Sequence, residues 1–329
     1  MTAKRFPILM ISPSRLGDAV LSSGLIKTLI DQVPRARFTI VASALTAPLF
    51  AEVPGLDRVI VMEKRAMGLH WFRLWREVNT RRWGLIVDHR GSPVSGFLRR
   101  SRRAVYRKST QPMHKVAEAG RLLRLEHDPP DPFLFTTADI ESRADRLTEG
   151  EGPILAIAPA ANWVGKTWPA ERFAMVARSL LGDEGPLAGG RVMVLGGPED
   201  RAAGDPVKAT VARTRRIDLA GREDPLVTFA ALKRARLFIG NDSGLMHMAA
   251  AAGVPTLGLF GPSDEASYRP WGPHGRSVRG PRDFAAIKAA DPHLNHAVCH
   301  MLDLSTTQVL AAACALIADT ERKPHDPNL

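Results

Sequence analysis

Residues 236–262, RLFIGNDSGLMHMAAAAGVPTLGLFGP, read as strand, loop, helix and strand. Leu237, Phe238 and Ile239 make a short apolar run that Gly240 and Asn241 interrupt. Residues 243–252 then form an Ala-rich helical stretch, and residues 254–260 return to strand character. This is a βαβ unit. Asp242 and Ser243 stand where the helix begins, so unsatisfied backbone N–H groups and the positive end of the helix dipole gather there, and Gly244 lets an anion come close. A nucleotide diphosphate fits such a place. An N-cap role for Asp242 or Ser243 explains the same residues without a ligand.

The alternation extends outward from this unit. Upstream, strands are expected at 154–158, 191–195 and near 217, with helices at 170–181, 199–214 and 225–234. The Pro- and Asp-rich stretch EHDPPDPFLFTTAD, 126–139, has no periodicity and reads as a linker. Before it, strands at 7–12, 38–42, 59–62 and 85–87 alternate with helices at 16–30, 45–52 and about 69–80, and 93–100 and 113–125 also look helical. The fold class expected is α/β, two Rossmann-like doubly wound parallel-sheet domains. The first spans 1–150 and the second 151–305. A last helix and tail, 306–329, follow irregular chain from 263 to 305.

A chain of 329 residues with 45% hydrophobic and 24% charged residues is long enough for two cores. Cys299 and Cys314 are too few for a disulfide framework. The apolar run at 8–11 is too short for a signal sequence, and the most apolar stretch, 244–261, is broken by His247, Gly253 and Pro255, so a cytoplasmic protein is expected. The net charge of +11 is uneven: between Lys64 and Arg124 stand 16 Lys and Arg against Glu77, Asp88 and Glu118. Such a field suits an acidic partner, whether nucleic acid, anionic lipid or a phosphorylated substrate, or it is a solubilising surface. No nucleic-acid-binding motif accompanies it, so nucleic acid is not expected as a partner.

In open parallel sheets ligands collect at the carboxyl ends of strands, which singles out three βα loops. SPSRLGD, 12–18, turns through Gly17 and places Asp18 in the first turn of a helix, where a carboxylate can accept a proton from a substrate hydroxyl or simply cap the helix. PAANWVGKTWP, 159–169, ends like a P-loop, but Ala160 replaces the first glycine and Pro169 marks where the helix begins. Its Lys166 is a point charge for a diphosphate. GGPEDR, 196–201, offers Glu199 to a ribose diol. Neither domain carries G-x-G-x-x-G after its first strand, which speaks against a nicotinamide dehydrogenase. The cluster His293, His296, Cys299 and His300 has zinc-like residue types but occurs once, without a second Cys pair, so no metal site is expected.

Together, RLGD, KTWP, LGGPED and above all DLAGREDPLVTFAALKRARLFIGNDSGLMHMAAAAGVPTLGLFGPSDEASYRPWGP resemble the heptosyltransferases of lipopolysaccharide assembly, glycosyltransferase family nine. The resemblance implies the GT-B architecture, with the last helix packing back on the first domain. It implies inverting transfer of a sugar, typically heptose from ADP-heptose, to an acidic lipopolysaccharide-core acceptor, with no metal and no cofactor. Asp18 matches the general base. Lys166 matches the lysine on the donor phosphates, Glu199 the ribose acid, and Asp242, Ser243, Gly244 and His247 the donor loop. Asn162 joins the donor contacts, although family members often carry hydroxyl residues where this chain has Ala160, Ala161 and Asn162. A nucleotide-sugar epimerase or hydrolase on the same architecture is the alternative.

The basic segment belongs to the first domain, the acceptor's side if the second holds the nucleotide. Trp71, Trp75 and Val78 form one stripe of the helix expected there, which reads as core, with Arg73 and Arg76 beside it. Arg15, Arg99, Arg100, Arg102 and Arg103 are the candidate acceptor contacts. The same charges suit peripheral association with the inner face of the cytoplasmic membrane, where each nearby Lys or Arg contributes about 1 kcal/mol.

Overall fold

The computed structural model of the chain describes residues 5–63, 68–295 and 297–321. The chain divides into two compact units between Thr137 and Ala138. In the first, β1 (Phe6–Ile11), β2 (Ala36–Ala42), β3 (Leu56–Val61), β4 (Trp83–Asp88) and β5 (Arg100–Val105) lie in the order β3, β2, β1, β4, β5, all neighbours parallel. Ile8 to Ile11 and Phe38 to Ala42 are covered on both faces, which is why they read as continuous apolar runs rather than alternating ones. The chain moves outward from β1 to β3, then returns to place β4 on β1's other side. The carboxyl ends of β1 and β4 therefore flank the switch point where doubly wound sheets hold ligands.

The single helix expected at 16–30 is two, Leu16–Leu21 and Gly24–Gln32. Between them the Ser22 hydroxyl donates to the Asp18 carbonyl at 2.9 Å and the Ser23 hydroxyl to the Val20 carbonyl at 2.6 Å, bonds that compete with a continuous helix. The stretch expected as a linker lies against this break: a Cβ on Gly24 would sit 2.3 Å from the Asp131 carbonyl oxygen, and Phe133 N–H donates to the Ser23 hydroxyl at 2.8 Å. Strand β5 was not anticipated, because RSRRAV has no apolar run; it is an edge strand, where arginines deter pairing with other chains.

The second unit contains β6 (Ile154–Ala158), β7 (Arg191–Val194), β8 (Arg216–Asp218), β9 (Leu237–Asn241), β10 (Thr256–Phe260) and β11 (Gly275–Arg279), ordered β11, β10, β9, β6, β7, β8 and parallel throughout. Its switch point falls between β6 and β9. The unit begins at Ala138 rather than 151. Helix Ala138–Leu147 packs against helix Pro225–Leu232 and is tied there by Arg234 to Glu141 at 2.8 Å and to Asp145 at 2.6 Å. The helix expected at 199–214 is broken into a 3-10 helix Pro198–Gly204 and a short helix Asp205–Lys208, and the supposedly irregular 263–305 contains β11.

The last helix, Thr306–Glu321, shares the core of the second unit. Val309, Ala313, Leu316 and Ile317 sit in the second unit's core with Phe173, Ala177 and Leu257, and Arg236 donates to the Ile317 carbonyl at 2.9 Å. It belongs to the second unit, and residues 322–329 lie outside the described chain. Among the described residues no helix is long and apolar enough to cross a membrane. Leu316 is 1% exposed, so Leu316→Ala should cost about 2–5 kcal/mol and lower the urea midpoint. An unchanged midpoint would take this helix out of the core.

Candidate active site

The second unit's switch point is built around Asn241, the fully buried last residue of β9. Its side-chain oxygen accepts from Trp168 N–H at 3.0 Å and its amide donates to the Pro159 carbonyl at 2.9 Å. Both ends of the loop after β6 are thereby clamped to the start of the loop after β9. Within that clamp a 3-10 turn, Val164–Lys166, carries the Lys166 ammonium to 2.6 Å from an Asp242 carboxylate oxygen. The pair is largely withdrawn from water, the side chains being 22% and 6% exposed, so each charge depends on the other more than in a surface ion pair.

Other contacts hold the lysine loop in place. A Cβ on Gly165 would lie 1.9 Å from the Trp163 ring, so the bulky residue that spoils the P-loop match packs where only glycine fits. His300 N–H donates to the Gly165 carbonyl at 3.2 Å, the Cys299 thiol to the Thr167 carbonyl at 3.3 Å, and the Trp168 indole to the Leu304 carbonyl at 3.0 Å. Cys299 and His300 are thus engaged in loop packing, His293 is exposed and His296 lies outside the described residues. Among the described residues no three His, Cys, Asp or Glu gather as a metal site would require.

The other oxygen of Asp242 is 3.9 Å from His247 Nε2, which is buried at the second turn of helix Gly244–Ala251. Ser243 is the N-cap, but its hydroxyl makes no capping bond and has no partner among the described residues, so the first-turn N–H groups are not capped by it. Cation, carboxylate, hydroxyl and helix N-terminus therefore share one corner of the unit. Asn162 and Glu199 are exposed and stand outside this knot; the acid that caps helix Pro198–Gly204 is Asp200, which accepts from Gly197 N–H at 2.8 Å.

In the first unit Asp18 lies half-buried in the first turn of helix Leu16–Leu21, beside helix Lys115–Gly120. Its loop is held from one flank by the Ser43 hydroxyl, which donates to the Ser14 carbonyl at 2.9 Å, and from the other by Arg90 Nε, which donates to the Ser12 carbonyl at 2.7 Å. Tyr106 is pushed up to about 12 by burial, then by its bond to Glu118 and the negative charges of Glu118 and Asp18. Glu118 itself is lowered: burial raises it, but the bonds from Lys115 and the Ser109 backbone prevail.

The arginines divide by role. Arg15, Arg99, Arg102 and Arg103 are exposed. Arg100 donates to the carbonyls of Gly96 at 3.0 Å and Leu98 at 2.7 Å, and Arg103 to the Ser95 hydroxyl at 3.1 Å, so both are tied to the helix before β5. Alternation along the strand also sends Arg102 and Arg103 to opposite faces. Lys64, at the start of the basic segment, lies outside the described residues.

Asn241 went unnoticed in the sequence because it reads as a strand breaker. His89 and Arg90 follow β4, which runs one residue beyond the strand expected at 85–87. Applying the carboxyl-end rule to the strand's actual end, Asp88, would have found them.

The family described as glycosyltransferase family 9 (heptosyltransferase) matches residues 71–293. Lipopolysaccharide heptosyltransferase 2 of Salmonella typhimurium is 26% identical over 354 aligned residues, covering 95% of this chain and 99% of that protein. Among solved structures, E. coli ADP-heptose lps heptosyltransferase II aligns with a TM-score of 0.73 at 23% identity over 96% of this chain and all of that one. The family 9 glycosyl transferase of Veillonella parvula aligns with a TM-score of 0.78 at 20% identity over 97% of this chain and 99% of its own. At these identities the structures establish the GT-B type of fold, while the family match covers more than half of the sequence. The chain belongs to glycosyltransferase family 9, the heptosyltransferases.

Proposed function

We propose that the protein is an inverting, metal-independent glycosyltransferase that moves heptose from ADP-heptose onto a lipopolysaccharide core or a related acidic glycolipid. The observation that carries this reading is the meeting of Lys166 and Asp242, 2.6 Å apart, beside the first turn of helix Gly244–Ala251. When the glycosidic bond to the donor breaks, negative charge grows on the departing diphosphate. A lysine with three N–H donors can keep one on Asp242 and turn the others to phosphate, while the helix N-terminus adds backbone N–H groups. Asp242, Ser243, Gly244, His247, Asn162 and Glu199 complete the donor contacts in this reading.

The acceptor belongs to the first unit, with Asp18 as general base. Its carboxylate takes the proton of the acceptor hydroxyl as that oxygen attacks the sugar's anomeric carbon from the face opposite the diphosphate, which inverts the configuration in one displacement. Arg15, Arg99, Arg100, Arg102 and Arg103 serve the acidic acceptor. A cytoplasmic setting, peripheral at the inner membrane face, follows from the acceptor's chemistry and from the basic segment. An epimerase or hydrolase would use the same donor corner without an acceptor, and family membership favours transfer.

ADP release from ADP-heptose should therefore require the acceptor. Asp18→Asn should slow transfer by about 10² to 10⁴-fold while leaving ADP affinity nearly unchanged. Acceptor-independent ADP release would support the hydrolase, and weakened ADP affinity at normal turnover would remove Asp18 from catalysis. For the surface, the double replacement of Arg99 and Arg102 by Gln is preferred because Arg100 and Arg103 also brace the fold. It should reduce sedimentation with phosphatidylglycerol vesicles at low salt, and wild-type protein that ignores such vesicles would end the membrane reading.

A further inference from the structure

At the first unit's switch point two buried polar atoms, adjacent in sequence, have no hydrogen-bond partner among the described residues: His89 Nε2 and Arg90 Nη2. Their placement is fixed by Asp88, which is fully buried and accepts from Arg90 N–H at 2.9 Å, Ser92 N–H at 2.8 Å, the Ser92 hydroxyl at 2.7 Å and the Ser95 hydroxyl at 2.6 Å. That turn presses His89 and Arg90 against the strand that leads to Asp18: His89 N–H donates to the Ile11 carbonyl at 3.0 Å, and Arg90 Nε to the Ser12 carbonyl at 2.7 Å.

Burial lowers the Arg90 pKa against the opposing charge of Asp88, and it lowers His89 to about 4, so the imidazole is neutral at physiological pH while the guanidinium keeps its charge. A buried polar group without a partner costs about 1–3 kcal/mol, and two side by side need a reason. Packing does not supply one, since the Ser12 bond engages only Nε. The crevice at the carboxyl ends of β1 and β4 is where such sheets bind ligands.

We propose that His89 and Arg90 form an anion subsite for the acceptor, in which the guanidinium takes a phosphate or carboxylate group and the imidazole bonds an adjacent hydroxyl. The proposal rests on the reading of the first unit as the acceptor's. Arg90 is then a specificity-determining residue: its anchored Nε sets the direction of the remaining N–H groups, and the anion it holds registers the acceptor hydroxyl against the loop of Asp18.

The test compares acceptor analogues that carry a phosphate, a carboxylate or neither. Arg90→Met should raise KM about 10-fold or more for whichever acidic analogue the wild type prefers, change KM for the neutral analogue less than about twofold, and leave ADP affinity as in the wild type. Arg90→Lys, which keeps a charge and can still reach the Ser12 carbonyl, should recover part of the preference. An equal rise for acidic and neutral analogues, or a fall in kcat alone, would make Arg90 only a brace for the Asp18 loop and overturn the subsite. If Arg90→Met does not fold, Arg90→Lys decides: a KM unchanged for every analogue overturns the proposal. Should no acceptor be turned over, the functional reading fails separately, and titration with inorganic phosphate decides the subsite: binding by the wild type that Arg90→Met loses supports it, and no binding overturns it.

Discussion

The ion pair between Lys166 and Asp242 is the constraint around which the second unit's switch point is built. A carboxylate that is 6% exposed needs a counter-charge close by, and Lys166 comes to 2.6 Å because the loop after β6 bends across the end of β9. That bend explains the residues around it. Asn241 fastens both ends of the loop, Gly165 makes room for Trp163, and the 299–304 segment supports the turn from outside. The last helix fixes that segment in turn, because Leu304 and Val309 share one core with Trp168. A core that extends to the C-terminal helix thus stands behind one ammonium group.

The first unit solves a different problem with similar means. Its Asp18 loop follows a buried strand and would swing freely unless held, so hydroxyls of β2's loop grip one flank and Arg90 the other. In both units several arginines act as structural donors as well as charges, so net charge alone does not mark a binding surface. Arg100, Arg103 and Arg191 all spend N–H groups on backbone carbonyls or hydroxyls, and Arg191 is 7% exposed.

Continuous apolar runs such as those of β1, β6 and β9 were legible in the sequence, because burial on both faces leaves no alternation to misread. Lys166, Asp242, Ser243, Gly244 and His247, singled out in the sequence as donor candidates, lie together at one corner of the second unit. What escaped were β5 and β11, whose arginines hide their strand character at sheet edges, and helix Ala138–Leu147, whose sparse apolar face is held to its neighbour largely by ion pairs. The Lys166–Asp242 contact spans 76 residues and could not be read from spacing. The break at Ser22 and Ser23 rests on their local hydroxyl bonds, and what spacing could not show is that Asp131 and Phe133 arrive against it from far along the chain.

Calorimetric titration of ADP and adenosine into the wild type, Lys166→Ala and Asp242→Asn tests the central claim, that the pair forms the diphosphate seat. Removing the Asp242 charge would by simple electrostatics favour an anionic ligand. If Asp242 is what holds Lys166 in position, Asp242→Asn instead binds ADP more weakly, and Lys166→Ala loses affinity for ADP far more than for adenosine. Tighter ADP binding by Asp242→Asn, or equal losses for both ligands in Lys166→Ala, would contradict the account.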